Sequence, residues 1–449
     1  MTSPLDISYA EQTPNSRRQY ERAVTSIPAG ATRSLNSWSP HPVYLVRGSG
    51  TQVTDVDGRV YVDMLNNYTA LVLGHADPEV VDAVCRAARG GTSFSFATPQ
   101  ESELAELLRA RVPSLQRLRF TGSGTEAAMF AMRLARAHTG RNLIAKVEGG
   151  YHGTHDDALV SVRPHPESWG PSHAPTATPD MAGLPAGCDQ RVLVLPFNDG
   201  DAAVALLRAH SSRVAAVIVE PILGVGGVIP AKKEYLQALR EACTALEIVL
   251  IFDEVITLRV SSGGAQANYE VTPDLTVMGK VIGGGLPIGA YGGRDDLMRQ
   301  LEPQGGTDVY DARAGGPRLY QGGTFTGNAC SLAAGLVTMR RLSPLAHLGL
   351  AAKGARLRSE LTRRIDRDGL PAHVTGYASL FNIHIGAGVV TTFRDTRRVD
   401  PKMQQAFFLG LLNHGFIIAP RGMGCVSTAT RDQDIHDFVD ASASVLAQI

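Results

Sequence analysis

The sequence predicts an α/β fold: a mostly parallel sheet, with a smaller α+β domain attached. Two observations carry this. From about residue 77, continuous apolar runs such as residues 214–220 and 248–252 alternate with helical patterns. That is the rhythm of a parallel sheet covered on both faces. After residue 330 the alternation stops, and helices are followed by short strands.

The elements follow in order. Residues 1–15 are polar and read as frayed. Tyr20, Val24 and Ile27 recur at helical spacing over residues 16–27, and Pro28 stops that helix. The loop after it carries Arg33 and Trp38. Strands are expected over 43–46, 52–56 and 60–63, the last two joined by the hairpin turn Asp57-Gly58. Residues 65–69 open a polar turn. Helices then cover 78–89, 101–112, 127–138, 200–210 and 234–246. Strands cover 115–120, 143–147, 191–196, 214–220 and 248–252. Two irregular insertions, 163–187 and 303–323, interrupt the pattern, and long irregular segments in a compact domain are often functional. Helices at 331–342, 351–367 and 434–447 and strands near 378–385 and 416–419 complete the chain. The expected division is an N-terminal segment (1–75) that packs with the small domain, a large domain (76–330) and a C-terminal small domain (331–449).

Composition narrows the function. The chain has 449 residues, 44% hydrophobic and 19% charged, with 43 basic and 43 acidic side chains. This is globular composition, and the balanced charge offers no basic stripe to a nucleic acid. The five cysteines are scattered without CxxC spacing, so neither a disulfide framework nor a metal site is expected. No apolar run approaches membrane-spanning length, and the N-terminus lacks a signal pattern. A cytoplasmic protein is the expectation.

The chemistry sits at strand ends, where parallel sheets bind ligands. The turn Thr121-Gly122-Ser123-Gly124-Thr125 lies between a strand and a helix. Helix-start N–H groups with small residues around them form an anion site, although an ordinary capped turn has the same pattern. Without a lysine of the P-loop kind, nucleotide binding fits poorly. Tyr151 and His152 follow the next strand, where they could equally be structural. Asp253 ends an apolar strand; there it would suit a cationic ring nitrogen or cap the next segment. Lys280 stands in an apolar run before three glycines. Partial desolvation would favour its neutral, nucleophilic form. Together these residues match a ligand with a phosphate, a basic aromatic ring and an aldehyde, which is pyridoxal 5′-phosphate.

At this point the chain resembles the class III, fold-type I pyridoxal-phosphate aminotransferases. Within them it is most similar to the glutamate-1-semialdehyde aminomutase-like and β-amino-acid (β-phenylalanine) aminotransferase branch. The resemblance runs from about Pro28 to Val445. It rests on Gly122-Ser123-Gly124-Thr125-Glu126-Ala127, Gly150-Tyr151-His152-Gly153, Val219-Glu220-Pro221, Phe252-Asp253-Glu254-Val255, Gly279-Lys280 and Gly323-Thr324-Phe325-Thr326-Gly327-Asn328.

The resemblance implies a seven-stranded, mostly parallel sheet in the large domain and a homodimer with active sites shared between subunits. Lys280 would be the Schiff-base lysine and the base for a 1,3-proton shift. Asp253 would pair with the pyridine nitrogen, with Val255 on one ring face, Tyr151 stacked on the other and His152 nearby. Ser123, Gly124 and Thr125 would hold the phosphate, joined by Thr324 across the dimer interface. Glu220 would lie near the cofactor hydroxyl.

For the substrate carboxylate it implies Arg33, with Arg421 as a second arginine and Trp38 and Tyr68 shaping the pocket. The segments Gly376-Tyr377-Ala378-Ser379-Leu380-Phe381-Asn382 and Asn67-Tyr68-Thr69-Ala70 are more similar to the β-amino-acid branch than to the aminomutase. Gly122 departs from the asparagine common in the family. The expected reaction moves an amino group from a carboxylate-bearing amine, favoured to be a β-amino acid and possibly aromatic, to a keto acid. A 2,1-aminomutase or a racemase on the same scaffold is the alternative. A non-enzymatic scaffold is disfavoured by the coexistence of Lys280, Asp253 and the phosphate turn.

Overall fold

The computed structural model describes residues 4–302 and 319–449; most of the second predicted insertion lies outside these. The chain forms two compact units. One comprises Met1–Pro78, Gly349–Val390 and Asp395–Ile449, the other Glu79–Leu348 with Thr391–Arg394. The boundary at 348/349 falls inside the helix Pro344–Asp368.

The second unit is built on a seven-stranded sheet. Its strands are β1 (Arg117–Thr121), β2 (Leu143–Val147), β3 (Val192–Leu195), β4 (Val214–Val219), β5 (Val249–Asp253), β6 (Leu275–Gly279) and β7 (Gly289–Gly293). They lie in the order β1-β7-β6-β5-β4-β2-β3. β7 runs antiparallel to both neighbours, while the pairings among β2 to β6 are parallel. β2, β4, β5, β6 and β7 are buried along their whole length, as expected for strands covered on both faces.

Neither β6 nor β7 was expected as a separate strand. β7 reads Gly-Ala-Tyr-Gly-Gly, which lacks the β-branched residues that mark strands. Its glycines answer a packing need. A methyl group on Gly289 would lie 2.1 Å from the Ser123 carbonyl oxygen, and one on Gly293 2.0 Å from that of Asp274.

Helix α1 (Gly124–Thr139) covers the sheet with a face of small residues, Ala127, Ala128, Ala131 and Ala135, all fully buried. It starts three residues before the predicted position, because Ser123 caps it: Ser123 Oγ accepts from the Glu126 N–H at 3.2 Å. Gly140, at φ 67°, ends it in the left-handed conformation. Phe130 of α1 stacks on Tyr291 of β7 with ring centroids 6.0 Å apart.

The first unit holds a four-stranded sheet and a three-stranded sheet. Leu45–Ser49, Gln52–Asp55 and Val60–Asp63 form the antiparallel part of the former, and Phe416–Ile417 joins parallel to Val60–Asp63. The hairpin Ala372–Tyr377 and Leu380–Ile385 pairs with Met423–Cys425. The helix Pro401–Asn413, absent from the sequence reading, starts at an Asp400 cap. Its run Phe407–Leu412 is buried on all sides, so it shows no polar face to betray a helical period. The predicted polar turn at 65–69 is a left-handed turn: Asn66, Asn67, Tyr68 and Thr69 have φ of 50°, 48°, 52° and 78°.

Candidate active site

The predicted cofactor residues all lie in the second unit. Ser123, Gly124 and Thr125 open α1. Helix geometry leaves the first-turn N–H groups of Gly124 and Thr125 without intrahelical partners. Glu126 folds back to accept from the Gly122 N–H at 2.7 Å, which fixes the turn. The next loop packs closely on it. Gly153, at φ 98°, approaches Thr125 so nearly that a methyl group would lie 2.6 Å from Thr125 Oγ1.

Tyr151 and His152 follow β2. The Tyr151 N–H donates to Glu220 Oε1 at 2.9 Å, and the Gly224 N–H donates to Glu220 Oε2 at 3.0 Å. Burial pushes the Glu220 carboxyl up to about 8, the neighbouring Asp253 adds to the rise, and the Lys280 charge opposes it. The two N–H groups from which it accepts also oppose the rise.

Asp253 closes β5 and is 4% exposed. Its Oδ1 accepts from the Val255 N–H at 3.0 Å, and its Oδ2 lies 2.9 Å from His152 Nδ1. An ionised carboxylate can only accept, so Nδ1 carries the proton. Burial holds the imidazole below its usual range, against the pull of Asp253. Its Nε2 is buried with no partner among the described residues.

Lys280 follows β6 directly, half-buried and at φ 49°. A left-handed conformation costs a non-glycine residue about 1 kcal/mol or more, and such strain collects at functional sites. The ends of three elements meet here. A methyl group on Gly124 would lie 3.0 Å from Val255, and one on Gly279 3.5 Å from Val255 and 3.6 Å from the Gly124 Cα. Small residues thus let the anion turn, Val255 and the end of the lysine's strand approach one another closely.

Thr324 lines a cavity of about 470 Å³ together with Gly122, Ser123 and Asn328 of its own chain.

The predicted substrate residues all lie in the first unit. Arg33 donates from Nη1 to Asn67 Oδ1 at 2.7 Å. The Tyr68 phenol is pushed up by burial and pulled back by Arg33 and Arg421, which places both cations around it. Desolvation and the Arg397 charge hold the Arg421 guanidinium below its usual range. Trp38 meets Phe408 edge-on at 5.1 Å, an anchoring contact.

Three relationships escaped the sequence reading. Lys146 of β2 is 1% exposed and donates to the carbonyls of Ala158 and Val160 at 2.9 and 2.6 Å. Burial lowers its ammonium to about 7. Glu148 is gripped by Arg394, Nε to Oε2 at 2.7 Å and Nη2 to Oε1 at 3.1 Å. Arg394 also lies over the Trp169 ring at 5.1 Å, and Phe393 packs on Gly149. The third is the Arg33–Asn67 bond. A lysine inside an apolar strand was a visible signal for the first; the others join residues far apart in the chain.

Among the described residues no group of His, Cys, Asp and Glu could hold a metal ion, and no helix is long and apolar enough to cross a membrane.

Comparison with known proteins places nearly the whole chain in one family. Residues 34–445 match the family model "Aminotransferase class-III". Among curated proteins, a glutamate-1-semialdehyde 2,1-aminomutase of Methanothermobacter thermautotrophicus is 38% identical, covering 96% of this chain and 99% of its own. Among solved structures, an omega-transaminase from Sphaerobacter thermophilus is 42% identical with a TM-score of 0.88, covering 96% of this chain and 97% of its own. A β-phenylalanine aminotransferase from Variovorax paradoxus is 35% identical with a TM-score of 0.86, covering 99% and 97%. The chain therefore belongs to the class III aminotransferases, enzymes dependent on pyridoxal 5′-phosphate.

Proposed function

We infer that the enzyme moves an amino group from a carboxylate-bearing amine, favoured to be a β-amino acid and possibly aromatic, to a keto acid. The observation that carries this is the grouping of Arg33, Tyr68 and Arg421 in one unit, a cationic, aromatic receptor for a carboxylate. An arginine fork matches a carboxylate in two hydrogen bonds.

The residues present fit pyridoxal 5′-phosphate. The donor set at the start of α1 suits its phosphate, the buried Asp253 suits a protonated pyridine nitrogen, and the Lys280 amine suits its aldehyde. The close approach of Gly124 and Gly279 to Val255 brings the phosphate turn and the lysine's strand to one place. When bound, the cofactor supplies an aldehyde that takes up the amine and a cationic ring that withdraws charge from the substrate carbon.

The chain's own residues do the rest. The Gly124 and Thr125 N–H groups and the Ser123 and Thr125 hydroxyls bind the phosphate. Asp253, oriented by His152, holds a proton at the ring nitrogen. Val255 and Tyr151 bracket the ring. Glu220 tethers the Tyr151 backbone. Lys280 would be the base of the 1,3-proton shift, taking the proton from the carbon that bears the amino group and returning it on the far side of the nitrogen, at the former aldehyde carbon. Its left-handed backbone lies directly after Gly279 and just before Gly283-Gly284-Gly285.

The site is proposed to be completed in a homodimer, with Thr324 of one subunit reaching the phosphate held by the other. The exposed aromatic rings of Phe325 (68%) and Phe96 (88%) on the same unit support a covering partner.

A second reading is supported by the names of curated relatives: several proteins at 36–39% identity are glutamate-1-semialdehyde 2,1-aminomutases. An aminomutase needs no keto acid.

The test is a half-reaction panel. Purified holoenzyme is mixed with single α- and β-amino acids, and loss of the visible cofactor band is followed. Bleaching by β-amino acids, with turnover that needs a keto acid, is expected. Bleaching by α-amino acids alone would overturn the substrate preference. Conversion of an amino aldehyde without any keto acid would favour the aminomutase.

A further inference from the structure

We propose that Asn67 is a positioning residue for substrate specificity: held in a left-handed turn, it orients the Arg33 guanidinium toward the substrate carboxylate. The inference rests on the reading of Arg33 as the carboxylate receptor and adds to it what aims that receptor.

The turn is costly and deliberately supported. Four consecutive non-glycine residues, Asn66 to Thr69, have positive φ. Each costs about 1 kcal/mol or more, so the surrounding structure must over-determine them. Asp63 does much of this. Its Oδ1 accepts from the N–H groups of Leu65 and Asn66, both at 2.8 Å, and its Oδ2 lies 2.7 Å from His75 Nε2. The Asn66 side-chain amide donates to the carbonyls of Asp63 and Cys425 at 3.1 and 3.0 Å. A buried acid, a histidine and a buried amide thus serve one turn.

What the turn offers is the exposed Asn67. A long arginine on an irregular loop keeps many rotamers, and fixing it costs up to about 2 kcal/mol of side-chain entropy. Asn67 Oδ1 takes one Nη1 hydrogen at 2.7 Å. The guanidinium is planar, so one fixed N–H sets the plane of the whole fork and leaves another edge for a carboxylate. Asparagine tolerates the left-handed region better than most residues. An acceptor without charge orients Arg33 without neutralising it. An aspartate there would bind Arg33 more strongly and repel the substrate.

The experiment uses holoenzyme and two amines, 3-amino-3-phenylpropanoate and 1-phenylethylamine, which lacks the carboxylate. The readout is the ratio of their kcat/KM values. Asn67→Gly keeps the φ and removes the acceptor. It should lower the ratio about tenfold, or about 1.4 kcal/mol, through KM for the acid. Asn67→Asp should lower it further. Arg33→Ala runs in parallel. If Arg33→Ala lowers the ratio and Asn67→Gly leaves it unchanged, the inference fails while the carboxylate reading stands. If Arg33→Ala leaves the ratio unchanged, that reading fails and the inference with it. A ratio raised by Asn67→Asp would also overturn the inference.

Discussion

His152 Nδ1 lies 2.9 Å from Asp253 Oδ2, and both residues are buried where the central strands end. The pair joins two loops whose strands, β2 and β5, are separated in the sheet by β4. Asp253→Asn keeps the volume and removes the charge that would hold a proton at the ring nitrogen. A loss of about a hundredfold or more in kcat is expected, the scale of removing one preorganised electrostatic partner. His152→Ala removes only the support, and a loss of about tenfold is expected. Steady-state kinetics of the two single variants and the double variant check this: the double should lose little more than Asp253→Asn alone.

Lys146 sets a pH dependence. Its ammonium is lowered to about 7 in the fold, against about 10.4 in an unfolded chain. Between these values the unfolded state binds more protons, so stability rises with pH across that window, and the burden of a buried charge is fully present below about 7. Lys146→Met removes the titration. Urea unfolding at pH 7 and pH 9 should show wild type gaining stability relative to the variant as pH rises. An unchanged difference would place the lysine's pKa at its ordinary value.

Gly289→Ala should reach the active site from behind. The new methyl would lie 2.1 Å from the Ser123 carbonyl oxygen and 2.4 Å from Thr121 Oγ1. Overpacking of this kind costs about 1–3 kcal/mol, and here it displaces the anion turn. A lower urea midpoint together with weaker cofactor binding is expected. Gly90→Ala is the control, since a methyl there has no neighbour within 4 Å.

Lys280→Ala should abolish transamination and the visible band of the holoenzyme. If Thr324 serves the partner's phosphate, then mixing Lys280→Ala with an inactive Thr324→Ala variant restores one intact site in each heterodimer. About a quarter of the wild-type activity should return after subunit exchange. No recovery, with exchange confirmed by tagged subunits, would return Thr324 to its own subunit's site.

The fold class and the candidates for the site could be read from the sequence, but several elements and contacts could not. Ser123, Asp253 and Lys280 sit where a local pattern changes, from strand to helix or from apolar run to glycines, so each could be picked out as a candidate, while each alone also had a structural reading and only their coexistence pointed to one ligand. β7 was hidden because close approach to neighbouring backbones demands glycine, and glycine erases the strand signal. Pro401–Asn413 was hidden by the opposite cause, an apolar run buried on every side. The Glu148–Arg394 pair lies 246 residues apart in the chain, and no local rule links its members. Asn67 stood in plain view, yet its bond to Arg33 depends on a left-handed turn whose supports, Asp63 and His75, lie outside the motif.

The placement of β7 also bears on how the enzyme comes into being. β7 pairs Gly289 with Gly279 on one side and with Thr121 on the other. It therefore fixes the lysine's strand against the anion turn, using a segment synthesised long after Thr121. Pairings so distant in sequence form slowly, because the loop entropy must be overcome before contacts reward it. Until β7 inserts, no strand joins the anion turn's strand to the lysine's strand in the sheet. A cofactor held by both halves would therefore select chains in which the sheet has already closed.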